Sequence, residues 1–171
     1  MATHLPDLDV HHPWALTTEE AVELALACEA AGRGKAGIKS SDGASLSSGE
    51  GGRVYANSHG FLGSQCGSRH SLSCMLIAED AAGMQRDYDF TSARNPRDLL
   101  APERVGESAA EHTLRRLGAR RPATGRMPVL FDPNLAAGLV GSLMGAIAGG
   151  ALFRQSSFLC DRLGDELFPE W

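Results

Sequence analysis

Aromatic residues are scarce in this chain. Phe, Trp and Tyr make up 6% of 171 residues, whereas glycine occurs 20 times. A core so poor in rings must pack through close approach of Ala, Leu, Val and Gly. No CxxC pair is present, and Cys28, Cys66, Cys74 and Cys160 are widely spaced. That pattern argues against close-spaced zinc ligation or a disulfide framework and fits free thiols in a reducing cytoplasm. No charged n-region with an apolar h-region opens the sequence, so nothing reads as a secretory leader. Basic residues are not in excess. The formal net charge of −5 argues against a nucleic-acid domain, whose affinity rests on clustered Lys and Arg. A GxSxG elbow is absent, which argues against an α/β-hydrolase type of serine enzyme. Internal repeats and low-complexity tails are missing too.

What is present centres on Leu135 to Phe153, LAAGLVGSLMGAIAGGALF, a run without charge between Asp132-Pro133 and Arg154. Gly141, Gly145 and Gly149 recur every four residues and would form a side-chain-free ridge on a helix. Three readings compete: a membrane span over 135–153, the buried central helix of a soluble domain, or a helix that once carried catalytic groups. The run is near the minimum for a bilayer crossing, and its glycines lower the hydrophobicity.

Residues 1–16, with Pro6, Pro13, His4, His11 and His12, read as an extended lead-in. The adjacent histidines are loose metal candidates with no further ligand nearby in sequence. Thr17 and Glu20 have the form of a capping box, opening a short amphipathic helix that Gly32 is expected to stop. Gly32-Arg33-Gly34-Lys35-Ala36-Gly37 matches GxGxxG by letter, but it follows a helix and leads into strand-like sequence. That is the reverse of the dinucleotide context. Residues 38–92 read as an antiparallel meander with turns at Asn57–Gly60 and Asp80–Gly83. Its edges are a platform for an extended peptide. Both faces turn apolar towards Ile77, so cover is expected on both sides there. Pro102 starts a second helix whose apolar face carries Val105, Ala109, Thr113 and Leu117, with acids early and Arg115 and Arg116 late. Arg115, Arg116, Arg120, Arg121 and Arg126 read as cations at that helix end and the following loop. Met127 to Phe131 reads as a short strand, and Asp165 to Trp171 as an acidic end.

His59, Cys66, His70 and Cys74 are the zinc-ligand types of the meander. Residues four apart in a strand lie roughly 13 Å from each other, whereas zinc holds ligands at about 2.0 to 2.3 Å. Cys66, His70 and Cys74 therefore share no ion on a continuous strand, although a sharp bend at Gly67 would bring two together. Buried thiols and a polar strand histidine are the plainer reading.

VYANSHGFLGSQCGSRHSLSCMLIAED, then MQRDYDFT, and above all PVLFDPNLAAGLVGSLMGAIAGGALFRQSSFLCDRLG resemble the PmbA branch of the TldD/PmbA metallopeptidase family. The likeness runs from about Leu16 to the C terminus. Family members are much longer, so the chain resembles their middle section, a fragment of a larger fold. In the TldD branch the helix corresponding to 135–153 carries H-E-x-x-x-H, two zinc ligands and a water-activating glutamate. The resemblance sets that motif over Gly141-Ser142-Leu143-Met144-Gly145-Ala146, where neither histidine nor the glutamate occurs. It implies a non-catalytic subunit of a cytoplasmic heterodimeric peptidase, inactive alone. Zinc is then expected only in a TldD-type partner, and the complex acts on small or unfolded peptides in peptide maturation and antitoxin turnover. No catalytic, metal or cofactor residues are expected in this chain, and neither a nucleic-acid nor a membrane partner. The expected architecture is α+β: an antiparallel meander packed with helices, among them a buried Gly-rich helix, with 17–171 as one incomplete domain after the lead-in.

Overall fold

The computed structural model describes residues 6–168. The chain falls into two compact units, 1–121 and 122–171, within the span that the sequence alone presents as one segment.

In the first unit Thr17 caps helix α1 (Thr18–Arg33). Its hydroxyl accepts from the Glu20 amide at 3.2 Å, and the Glu20 carboxylate accepts from the Thr17 amide at 2.9 Å. Two of the free donors at the helix start are thereby satisfied. Three antiparallel strands follow, β1 (Ile38–Ala56), β2 (Leu62–Asp80) and β3 (Gly83–Ala93), in the order β1-β2-β3. The turns fall where expected. Asn57 Oδ1 accepts from the His59 and Phe61 amides, and Gly60 has φ +82°, a left-handed angle that L side chains adopt at a cost. Helix α2 (Pro102–Arg115) then lies with α1 on one face of the sheet.

The alternation of β2 decides which face that is. Ser68, His70, Leu72, Cys74, Leu76 and Ala78 are buried, while their odd-numbered neighbours are not. Leu72, Cys74 and Leu76 meet Cys28 of α1 and Val105, Ala109 and Ala110 of α2 in one core. Fully burying a side chain such as Leu76 contributes about 1.5 to 3 kcal/mol. Met75 and Ile77 are only half buried, so the double cover expected near Ile77 is absent among the described residues: both helices lie on one side.

Gly32 does not stop α1. The helix runs through it to Arg33, and Gly32 is buried. The reason is its neighbour Gly106 on α2. A Cβ at Gly106 would overlap the Cys28 carbonyl and lie 3.0 Å from the Gly32 amide nitrogen. One at Gly32 would fall 2.8 Å from the Gly106 oxygen and 2.6 Å from Leu76. The two helices thus cross backbone to backbone over β2. Lys35, just past α1, then ties to Glu107 of α2 at 2.9 Å. The hydrogen bond from Lys35, ahead of its charge, holds the Glu107 carboxyl below the usual carboxylate range.

The described part of the lead-in, from Pro6, has no regular secondary structure, with Asp9 at φ +48°, and it is docked. The Ser68 amide donates to the Val10 carbonyl at 2.9 Å, and the His12 amide donates to Ser68 Oγ at 2.8 Å. His70 Nε2 lies 2.9 Å from the His12 carbonyl, an acceptor only, so that nitrogen carries the proton. Nδ1 is left to accept from the Ser48 hydroxyl at 2.9 Å. Trp14 stands edge-on to the buried imidazole, with ring centroids 5.5 Å apart.

The second unit departs further from expectation. Met127 to Phe131 is not a strand: these residues are irregular and exposed, Leu130 at 98%. Without a neighbouring strand, the backbone groups of such a segment have no ladder to join. The uncharged run is not one helix either. It forms α3 (Pro133–Ala146) and α4 (Gly149–Phe153), with a break at Ile147-Ala148. Glycine costs roughly 1 kcal/mol relative to alanine within a helix, and Gly145, Gly149 and Gly150 flank the break. No residue of α3 is buried, which corrects the expectation of a buried helix. Nothing lies within 4 Å of a Cβ built at Gly138, Gly141, Gly145 or Gly149. No described helix is long and apolar enough to cross a membrane, so the single-span alternative over 135–153 has no helix to carry it.

The two sets of glycines should therefore respond oppositely to alanine. Gly106→Ala is expected to destabilise the first unit by ~3 kcal/mol, through overpacking against backbone. Gly141→Ala should be neutral or raise helix content, by up to ~1 kcal/mol. Urea unfolding followed by circular dichroism on both variants checks this.

Candidate functional site

Helix α3 is the element on which the resemblance sets a metal motif, and its local structure is well specified by sequence. Asp132 caps it by accepting from the Asn134 amide at 2.9 Å, and Pro133 occupies the first turn, where a missing N–H costs nothing. The six-residue window Gly141 to Ala146 therefore lies on regular helix. Gly141 and Ala146, at the two histidine positions, have no donor atom. Ser142, at the glutamate position, turns its hydroxyl back to the Gly138 carbonyl at 2.9 Å, a bond internal to the helix. Met144 is 58% exposed and offers only a thioether, whereas zinc takes thiolate, imidazole and carboxylate. The residues present do not fit a catalytic zinc.

The surroundings do not replace them. Residues 122–171 contain no histidine, so no imidazole base is available within that unit. A cavity of about 580 Å³ lies beside the end of α4, lined by Ile147, Leu152, Leu159 and Leu163. Its polar groups are Gln155, Cys160, Asp161 and the Arg162–Asp165 pair at 3.0 Å. With no imidazole in this unit to activate the Cys160 thiol, these groups do not form the nucleophile–base pair of a covalent catalyst.

In the first unit the candidate ligands are kept apart. His59 is exposed on the β1–β2 turn and Cys66 is exposed on β2, whereas His70 and Cys74 are buried on the helix-facing side. Gly67 makes no bend that joins them, since β2 is continuous through it. Among the described residues no three His, Cys, Asp or Glu side chains come together to hold an ion. His11 pairs with Glu50 at 2.9 Å and His12 with Asp9 at 3.4 Å; His4 lies outside the described residues. The Cys28 thiol is pushed well above its ordinary range, first by its hydrogen bond with Cys74 and then by burial, which keeps it a thiol rather than a nucleophilic thiolate. The GxGxxG letters end a helix at Gly34 and begin β1 beyond Gly37, so they cradle no phosphate. Of the basic run, Arg115 and Arg116 are paired with Glu111 and Asp87.

Sequence reasoning missed one constellation, the Ser48–His70–His12 chain of bonds. Its members lie 22 and 58 residues apart, so only β1–β2 pairing and the docking of the lead-in bring them together. The ring is 1% exposed with both nitrogens engaged, and it fastens three segments.

Comparison with known proteins fits this division. A family model described as the PmbA/TldA metallopeptidase central domain matches residues 11–117, and one described as the C-terminal domain of the same family matches residues 124–171. Metalloprotease PmbA of Escherichia coli O157:H7 is 45% identical over the whole chain, and a PmbA homologue of Haemophilus influenzae is 40% identical. The chain spans 38% of the length of each of these curated relatives. A crystal structure of a candidate modulator of DNA gyrase from Bacteroides thetaiotaomicron superposes with a TM-score of 0.80 at 26% identity. That match covers 92% of this chain and 37% of the other. A Thermotoga maritima protein with the same description gives 0.76 at 21% identity, covering 94% and 36%, a likeness of fold alone.

The thiols provide a check on the site geometry. Cys66 and Cys160 are expected to react with a thiol reagent in the folded chain, and Cys28 and Cys74 only after unfolding. Mass mapping of alkylated peptides with and without denaturant would show a different partition if the burial were otherwise.

Proposed function

The chain belongs to the PmbA/TldA metallopeptidase family, and from that premise we propose that it is the central part of a non-catalytic subunit in a TldD/PmbA-type peptidase complex. The observation that carries this reading is the window Gly141 to Ala146 on α3. A well-capped helix stands at the motif position, yet it presents glycine, serine and alanine where two imidazoles and a carboxylate are needed. A hydrolase of this type needs a metal to polarise the scissile carbonyl and lower the pKa of the attacking water. With no ligand on the helix, that chemistry falls to a TldD-type partner. This protein's part is then to help enclose and position peptide. The proposed substrates are small or unfolded peptides in the cytoplasm, with roles in peptide maturation and antitoxin turnover.

Two measurements test the reading separately. After incubation with zinc and exhaustive dialysis, the purified chain is expected to hold no stoichiometric zinc by elemental analysis. A tightly held ion removed by substitutions in 141–146 would overturn the account of α3. The full-length protein of which this chain forms part is expected to co-purify with a TldD-type subunit from the same cell, and peptidase activity to require both. Activity of the full-length protein alone, or failure of the two to associate, would overturn the subunit assignment.

A further inference from the structure

The face of the sheet turned away from α1 and α2 carries a feature that the peptidase reading does not use. The ladder register sets Arg53 opposite Gln65, Gly51 opposite Gly67, Gly49 opposite Arg69 and Ser47 opposite Ser71. These residues share the face of the odd-numbered positions of β2, away from the helical core. Gly49 and Gly51 leave β1 bare on this face, with nothing within 4 Å of a Cβ built there, whereas Val10 and Arg94 lie over Gly67 of β2. Arg94, just after β3, therefore borders the bare stretch of β1 on its β2 side. Its Nη1 donates to the Ser68 carbonyl at 3.2 Å and would stand 3.2 Å from a Cβ at Gly67. Hollows of about 370 and 450 Å³ open here, the first lined by Arg53 and Arg94 and the second by Arg69 and Arg94.

The charges are unbalanced. Among the described residues no carboxylate pairs with Arg53, Arg69 or Arg94. Arg69 donates only to Ser92 Oγ at 3.2 Å. Glu50, at the rim, is engaged by His11 at 2.9 Å. In a chain of net charge −5, three guanidiniums without a carboxylate partner among the described residues line one groove. Their spacing carries the rest. Arg53 and Arg69 stand at ladder positions four residues apart on β2, a backbone rise of about 13 Å, and Arg94 Nη1 lies over Gly67 at the position between them. The three ladder levels are each two residues apart, a backbone rise of about 6.6 Å that matches residues i and i+2 of an extended chain.

We propose that this glycine-lined groove binds an extended peptide through acidic side chains at alternate positions, one to each of Arg53, Arg94 and Arg69. The bare stretch of β1 at Gly49 and Gly51 admits the peptide backbone, and planar guanidinium forks suit carboxylates. The proposal does not rest on the subunit assignment, because the groove belongs to this chain and is tested on it directly.

The probe is a fluorescein-labelled, C-terminally amidated peptide with Glu at three alternate positions between Thr residues, read by anisotropy at low salt. Binding is expected to exceed that of the analogue with Gln in place of Glu by about tenfold and to weaken as salt is raised. Arg53→Gln, Arg69→Gln and Arg94→Gln should each weaken it two- to fivefold, the range of roughly 0.4 to 1 kcal/mol for an exposed ion pair, while Arg121→Gln leaves it unchanged. These are surface changes, and circular dichroism verifies the fold of each. Equal binding of the Glu and Gln peptides, binding indifferent to the three substitutions, no binding at low salt, or tighter binding of an oligothymidylate than of the Glu peptide would each overturn the proposal.

Discussion

The crossing of α1 and α2 at Gly32 and Gly106 is the constraint on which the first unit depends. With the backbones in contact, both helices reach β2 at once, and one strand buries Leu72, Cys74 and Leu76 against the two together. Any larger residue at the crossing would lift one helix off the sheet. A chain with few aromatic rings has little else to fill such a gap, so close approach takes the place of bulky side chains. The polar ties follow from it. Thr113, on the same face of α2, donates to its own Ala109 carbonyl at 2.7 Å and lies 3.3 Å from the Asp87 carbonyl of β3, and Lys35 reaches Glu107 only because the helices are already close.

Local signals were legible where local chemistry decides. The Thr17–Glu20 box, the Asn57–Gly60 and Asp80–Gly83 turns and the Pro102 start of α2 are each set by residues within a few positions of one another, and each appears as read. The departures share another cause. Gly32 looks like a stop signal unless Gly106, far along the chain, is known to lie against it. His70 looks like an ordinary strand histidine until β1 and the lead-in close around it. Met127 to Phe131 has a strand's composition but no strand beside it. The Gly-rich run showed the limit most clearly: four-residue glycine spacing says that a helix permits close contact, not that anything makes it.

The absence of chemistry on α3 was readable before any coordinates, because it depends on which atoms the side chains own. What the structure adds is that the helix is regular through the window and that Ser142 spends its hydroxyl on its own backbone. The helix keeps its shape without the groups that would have made it reactive. The proposed division of labour with a TldD-type partner rests on that combination.

The docking of the lead-in has a consequence for β2 as a strand. β3 pairs with β2 only from His70 to Asp80. Beyond His70, that side of β2 would present bare amides and carbonyls, a template on which another chain could assemble. Val10 and His12 take up the position next to it, holding Ser68 from both its amide and its hydroxyl. The segment before α1 thus continues the cover of β2 just past the point where β3 ends, at Ser68, so the exposed margin of the central strand is shortened.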